Sequence, residues 1–473
     1  MYSRAERFLE ETELDNIWHF SFSKFLDSIS NEKTIVIMID SLEFIADSPT
    51  KIELLEKLYF LSEKYEKVKI ITTCRSCDKN SFIKIEKNYN IKVYVVPELN
   101  DPELDKVCKK YDIVNKFIKN QSYCNLLKLP FYLNILISKI GEIVDINSEA
   151  SLRGYIWEYV ICLKENIPMN SNIKYSNIQK TVHDIVFERA SKFLLGVSEQ
   201  GYDSEIIQLL ISEGVIIKNN KFIRLKYDIF EDICFEQEFD KLFYECRGDY
   251  LSFFNSIDKL GRCVYRRYQI WISNKLFIQE TRNKFLYELI FNGNVPVKWN
   301  EQTKIGIIKS RYSNDFFKDY SNELITSNKI KEFIDLINLY GFEFNNEKIY
   351  SELPILQLKS CGAGREKIIE IIYNNALYKT NDNKLYESIV KICIDYSNQE
   401  IISKSIAEVV CNILHYYIDE KLKENFDYNY KLHEQIIKLL KPIYFFAEYD
   451  KEWIINFFSK IYNYFISEID KEV

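Results

Sequence analysis

Glycine and proline are both scarce, with 12 and 8 copies in 473 residues. These residues punctuate helices, so a chain this poor in them is expected to be mainly helical. The first glycine is Gly141, and neither Gly-Lys-Ser nor Gly-Lys-Thr occurs anywhere. That excludes a phosphate loop of the form G-x-x-x-x-G-K-[ST], whose glycines let backbone N–H groups approach the phosphates. The segment Gly362-Ala-Gly364-Arg365 lacks the lysine and a preceding strand, and reads as a helix-connecting turn. No apolar run approaches the ~20 residues of a membrane span, and Met1–Arg7 contains no apolar signal core. Membrane partners are therefore not expected. The four histidines share no motif, and Cys74-x-x-Cys77 has no second pair, which argues against zinc. The eleven cysteines recur at no paired spacing and read as reduced thiols in a cytoplasmic protein. Net charge is only −7, so there is no global pull toward nucleic acid.

What is present is a long chain that is 47% hydrophobic and 28% charged, enough for two to four domains at roughly 100–200 residues each. Residues 1–33 carry apolar residues at helical spacing. Thr34–Asp40 is then a continuous β-branched run, the pattern of a strand buried on both faces. A helix is expected over 51–66, a second strand over Val68–Thr73, a helix near 80–88 and a third strand over Ile91–Val96. This alternation predicts parallel pairing through right-handed crossovers. From 101 to 170 only helical patterns appear. Residues 171–245 change character: helices, then short strands at Val215–Lys218 and Phe222–Lys226 around Asn219-Asn220, the order of a winged helix. From 246 to 473 helix follows helix without a strict repeat period.

The sharpest chemical signal is Ile35-Val-Ile-Met-Ile-Asp40. A parallel strand that ends in aspartate puts a carboxylate at the carboxyl edge of the sheet, where ligands bind in open α/β folds. In nucleotide hydrolases such an aspartate holds magnesium, and Glu43, three residues on, is placed to polarise water. The bland alternative is an Asp that caps the next turn. The neighbouring strand ends Ile70-Ile-Thr72-Thr73-Cys74-Arg75, which sets hydroxyls and a guanidinium at the same rim. Positions 40 and 75 leave room for one crossover helix. Arg262–Trp271 mixes cations and aromatics. We read it as helix packing with arginines over rings rather than as a nucleic-acid surface. The aromatic residues between Ile443 and Ile466 read as helical core, with a protein-binding groove as the functional alternative.

The pair Ile39–Asp47 and Ile70–Arg75 resembles the STAND class of signalling ATPases, the relatives of NACHT and NB-ARC domains. Further pieces fall in family order over about residues 1–245. Leu127-Lys-Leu-Pro130-Phe-Tyr-Leu133 resembles the proline-bearing lid motif near the adenine. Leu225-Lys-Tyr227-Asp228 resembles the family's His-Asp segment, with Tyr227 where histidine is usual. The fold class implied is α/β followed by mostly α. It comprises a truncated parallel-sheet P-loop ATPase core (1–100), a helical lid (101–170), a winged helix (171–245) and an α-helical repeat-like array (246–473).

The resemblance implies ATP and magnesium as cofactors. Asp40 would bind the metal, Glu43 would orient water, and Thr73 with Arg75 would sense the γ-phosphate. Pro130 would shape the lid, and Asp228 would link the winged helix to the nucleotide. It further implies a signalling role, for instance in bacterial defence, with a protein partner on the C-terminal helices and homo-oligomers in the open state. In this class the strand carrying the phosphate loop lies between the sensor strand and the last strand. Its loss would leave costly unpaired edges. The expectation is that strands 68–73 and 91–96 pair directly, or that an upstream polypeptide supplies the missing strand. The chain by itself is expected to bind nucleotide weakly or not at all. The alternatives are a non-catalytic helical scaffold derived from such an ATPase and, least favoured, a winged-helix DNA-binding regulator.

Overall fold

The computed structural model describes most of residues 1–423. Residues 75–81, 95–98, 116–126, 140–148, 345–357, 398–402, 424–450 and 460–473, with several shorter stretches, lie outside the described residues. The chain divides into two compact units, Met1–Thr73 with Lys92–Trp271, and Cys74–Ile91 with Ile272–Val473.

The first unit holds a three-stranded parallel sheet in the order β1 (Tyr2–Arg4), β2 (Ile35–Asp40), β3 (Val68–Thr72). A 3-10 turn (Ala5–Leu9) and the helices α1 (Leu14–Trp18) and α2 (Phe22–Ile29) connect β1 to β2. A 3-10 turn (Leu42–Ile45) and α3 (Pro49–Glu63) connect β2 to β3. The two strands expected from their β-branched runs form, and they pair parallel as expected.

Two expectations are corrected. The extreme N-terminus is a strand rather than a helix: Tyr2 pairs with Met38 and Arg4 with Asp40. The expected strand over Ile91–Val96 does not form within 91–94, and 95–96 lie outside the described residues, so the 68–73 strand does not pair with it there. A three-residue strand has no periodicity of its own, and only the ladder offered by β2 makes it one.

The sheet is also not buried on both faces. Ile35, Ile37 and Ile39 are buried on the inward face, while Val36 and Met38 remain about 40% exposed. α3 covers the inward side with Leu54, Leu55 and Leu58, and its Tyr59 hydroxyl lies 3.2 Å from that of Thr72.

Helices follow: α4 (Ile83–Asn88, in the second unit), α5 (Asp101–Lys110), α6 (Pro130–Lys139) and α7 (Glu149–Tyr155), which runs into a π-helical segment Ile156–Ile161. Asn100 and Glu103 form a capping box that starts α5. Then come α8 (Tyr175–Ser191), β4 (Val197–Ser198), α9 (Ser204–Ser212), β5 (Ile216–Asn219), β6 (Phe222–Leu225) and α10 (Asp228–Glu245). The expected hairpin forms as β5–β6, and a short strand not anticipated, β4, joins it in an antiparallel sheet of order β4-β6-β5. α9 starts at an Asp203 side-chain cap and stops at Gly214, whose φ of +70° suits glycine. α11 (Tyr250–Asp258) follows, and the unit ends at Trp271 within α12 (Val264–Lys275).

The second unit is a succession of short helices, α13 (Tyr287–Phe291) to α20 (Lys404–Lys423). Its core includes Trp299, Phe316, Phe333 and Ile389. Between α17 (Ile330–Tyr340) and α18 (Arg365–Asn374), Phe342–Phe344 and Leu358–Ser360 pair antiparallel, a small break in the expected all-helical pattern. A strand therefore does precede Gly362-Ala-Gly364. The glycines there serve close packing. A Cβ at Gly362 would meet the Ile308 carbonyl oxygen at 2.0 Å, and one at Gly364 would meet the Phe317 ring at 2.4 Å.

Candidate functional site

The rim of the parallel sheet is built by the ends of its three strands. Because β2 and β3 run parallel and in register, Asp40 and Thr73 emerge at the same edge. The Thr73 amide donates to the Ile39 carbonyl at 3.1 Å, and the Leu42 amide donates to the Thr73 carbonyl at 2.8 Å. Thr73 Oγ1 accepts from the Ser41 amide at 2.9 Å and donates its proton to Asp40 Oδ1. The hydroxyl thus has one role toward each neighbour. The turn it holds includes Ser41 at φ +64°, a left-handed conformation that costs a non-glycine residue roughly 1–2 kcal/mol. On the other side of β2, the Tyr2 hydroxyl donates to Asp40 Oδ2 at 3.1 Å. Burial, with Asp40's negative charge next, pushes the Tyr2 phenol up to about 12, so it stays a proton donor at neutral pH. Both oxygens of Asp40 therefore accept a hydroxyl proton.

Arg4, the register partner of Asp40, is buried and reaches away from the sheet to Asp228 Oδ1 at 2.8 Å. Asp228 opens α10, where a carboxylate also complements the helix N-terminus. Tyr227, just before it, joins Phe131 and Phe230 in an edge-to-face cluster with centroids 5.3–5.7 Å apart. Phe131 follows Pro130, which begins α6, the position where proline's missing N–H costs nothing. Phe44, in the turn after Asp40, lies under two guanidinium groups, Arg4 at 5.9 Å and Arg267 at 5.2 Å.

Four residues singled out in the sequence thus meet in this region. Asp40 touches Thr73 directly, Asp228 connects to the rim through Arg4, and Pro130 leads into the ring cluster beside Asp228. Glu43 sits on the 3-10 turn, but its side chain lies outside the described residues, as does all of Arg75. Sequence reasoning missed Tyr2, Arg4 and Phe44. A three-residue strand leaves too short a pattern to find the first two, and a lone phenylalanine carries no mark of the arginines above it.

The metal question turns on the donors. Among the described residues no cluster of three or more His, Cys, Asp or Glu side chains occurs. Asp40 would offer one carboxylate, which fits magnesium's habit of taking one or two carboxylates and completing its shell with water and substrate phosphates. A cavity of about 80 Å³ beside Asn134, Ile135, Lys226 and Tyr227 is below the ~300 Å³ of ordinary ligand pockets. A wider groove of about 540 Å³ between α8, the 200–202 turn and Lys259 contains none of the sequence-predicted residues.

In the Arg262–Trp271 segment, Arg262 lies outside the described residues. Arg267, Tyr268 and Trp271 are buried, and Arg267 stacks 4.4 Å over Phe235. No helix among the described residues is long and apolar enough to cross a membrane. No family model matches the chain, and no curated protein matches its sequence.

Proposed function

We propose that this chain is part of a STAND-type, ATP-dependent signalling protein whose nucleotide site is completed by a phosphate-loop segment. The observation that carries the reading is the shared rim: Asp40 on the middle strand of a parallel sheet, hydrogen-bonded to Thr73 at the tip of the adjacent parallel strand. An aspartate that only capped a turn would not require a hydroxyl from the next strand's end. The link from this rim through Arg4 to Asp228, at the start of the helix after a β-hairpin, supports the family order of sensor strand, lid and winged helix. In this reading Asp40 holds the magnesium ion, which would neutralise charge on the phosphates. Thr73 orients Asp40 and stands near the γ-phosphate. Pro130 and its helix cover the base, and Asp228 reports the state of the rim to the helices that follow. The edge of β3 that no described strand pairs with is where the phosphate-loop strand would pair.

The test is ATP binding by the full chain alone and with an added phosphate-loop segment. Binding gained with the segment and lost in Asp40→Asn supports the switch. No binding in either case sinks it and leaves the second reading, a non-catalytic scaffold of the same ancestry. One observation favours that scaffold: both oxygens of Asp40 already accept protein hydroxyls.

A further inference from the structure

The parallel sheet keeps one face open. Side chains alternate along a strand, so Tyr2 of β1, Val36 and Met38 of β2, and Lys69 and Ile71 of β3 share that face. Tyr2 lies opposite Met38 and Met38 opposite Ile71, which makes one row across all three strands. Val36 and Lys69 make the next row toward the amino ends. The four apolar members are between 39% and 49% exposed, and Lys69 is exposed as well. Parallel sheets are ordinarily covered on both faces, and a contiguous apolar patch left in the open marks an interaction site.

Winding and charge together say what fits there. The chain steps from β1 to β2 to β3 in one direction across the sheet. Right-handed crossovers taken in one direction set their helices on one face, and α3 lies on the inward one. A helix on the open face therefore belongs to a crossover made in the reverse direction. A strand on the outer edge of β3 whose chain leads toward β1 makes such a crossover. Its helix runs antiparallel to the strands and begins beside their carboxyl ends. On this face Asp40 stands at the carboxyl end of β2, and Lys69 stands near the amino end of β3. A carboxylate beside the N-terminus of that helix and an ammonium beside its C-terminus both complement the helix dipole.

We propose that the open face seats an amphipathic helix that follows the strand pairing with β3, so that the segment completing this sheet is a strand, a loop and a helix rather than a loop alone. The place of that strand rests on the nucleotide reading above, whereas the helix rests on the exposed row and the winding of the sheet. Apolar side chains three and four residues apart on the helix pack on Tyr2, Met38 and Ile71, and its last turn lies over Val36 and Lys69.

The test uses the full chain and two labelled synthetic probes, a phosphate-loop segment that ends after its loop and the same segment continued through an amphipathic helix of about 14 residues. Binding is followed by fluorescence anisotropy without ATP. The long probe should bind at least about tenfold tighter than the short one, and Met38→Lys with Ile71→Lys should remove that gain while leaving the short probe within about twofold. Both positions are exposed, and if the lysine pair does not fold, Met38→Gln with Ile71→Thr is read against the same outcomes. Equal affinity of the two probes, no binding of either, or a gain that survives the substitutions would overturn the proposal. So would a dimer of the chain alone, seen by sedimentation and split by the same substitutions, since a second copy would then cover the face. Tight binding of the long probe without ATP binding sinks the nucleotide reading and keeps this one. ATP binding gained equally with the short probe does the reverse.

Discussion

The buried pair Arg153–Glu236 sets a quantitative test of how this core is held. Both side chains are about one-tenth exposed, and the guanidinium meets the carboxylate through two bonds of 2.6 and 2.7 Å. Removing one partner from such a pair costs about 3–5 kcal/mol, because the other is left charged in a dry site. Arg153→Met should therefore lose that much. Replacing the pair as Arg153→Met with Glu236→Leu should recover most of the loss. About 1–2 kcal/mol should stay missing, because the Tyr132 hydroxyl has lost its donor. Adding Tyr132→Phe should remove that remainder.

Acidity gives a second reading of the same pair. Burial, opposed by Arg153, already holds the Glu236 carboxyl above its ordinary 4.5. Without Arg153 the upward push acts alone. A carboxyl raised in the folded state contributes stability that is fully present below its unfolded value and is lost as pH rises through the folded one. The Arg153→Met variant should therefore be closest to wild type near pH 5 and furthest from it near pH 8. Urea unfolding would be followed by tryptophan fluorescence at both pH values, with Trp157 one helical turn beyond Arg153, and with separate transitions allowed for the two units. A double variant as unstable as the single, or a single variant that loses under 1 kcal/mol at pH 8, would refute the reasoning.

Thr73→Val should cost about 1–2 kcal/mol, since it leaves the Ser41 amide without its acceptor, and Thr73→Ser should restore most of it in the same urea titration. Gly362→Ala should destabilise the second unit by about 2 kcal/mol or more, because the added Cβ meets the Ile308 carbonyl and φ is +82°; a change under 0.5 kcal/mol by thermal melting would contradict the geometry. Burial raises the Glu332 carboxyl, but hydrogen bonds from Lys304 and Lys329 outweigh it, and the net result lies below the ordinary 4.5. Its contribution is present above that value and lost as pH falls through the folded one, so Glu332→Gln should flatten the acid limb of stability below about pH 4.5.

The strands at 35–40 and 68–72 were legible because a β-branched run between polar breaks has few other folds open to it, and their parallel pairing followed from the helix between them. The β-hairpin was legible from two short apolar runs around Asn219-Asn220. The failures share a cause. Tyr2–Arg4 is too short for any pattern and forms a strand only because β2 offers an edge. Ile91–Tyr94 has strand-like composition but no strand forms there, since composition cannot say whether a neighbouring edge is in reach. Val36 and Met38 looked like core from their type, yet the face they point to is left open by the described residues.

By itself the sequence determined that a carboxylate and a hydroxyl would stand at the ends of two β-branched strands, because side-chain alternation and strand length are local properties. It also determined that α10 would carry acids four residues apart. Only the tertiary structure decided what those acids meet, since Arg4 and Asp228 are 224 positions apart and Arg153 and Glu236 are 83 apart. Charge stripes on helices ordinarily face water. Here burial turns them inward, and the partners that make this tolerable are chosen by packing in space, which nothing in the local sequence encodes.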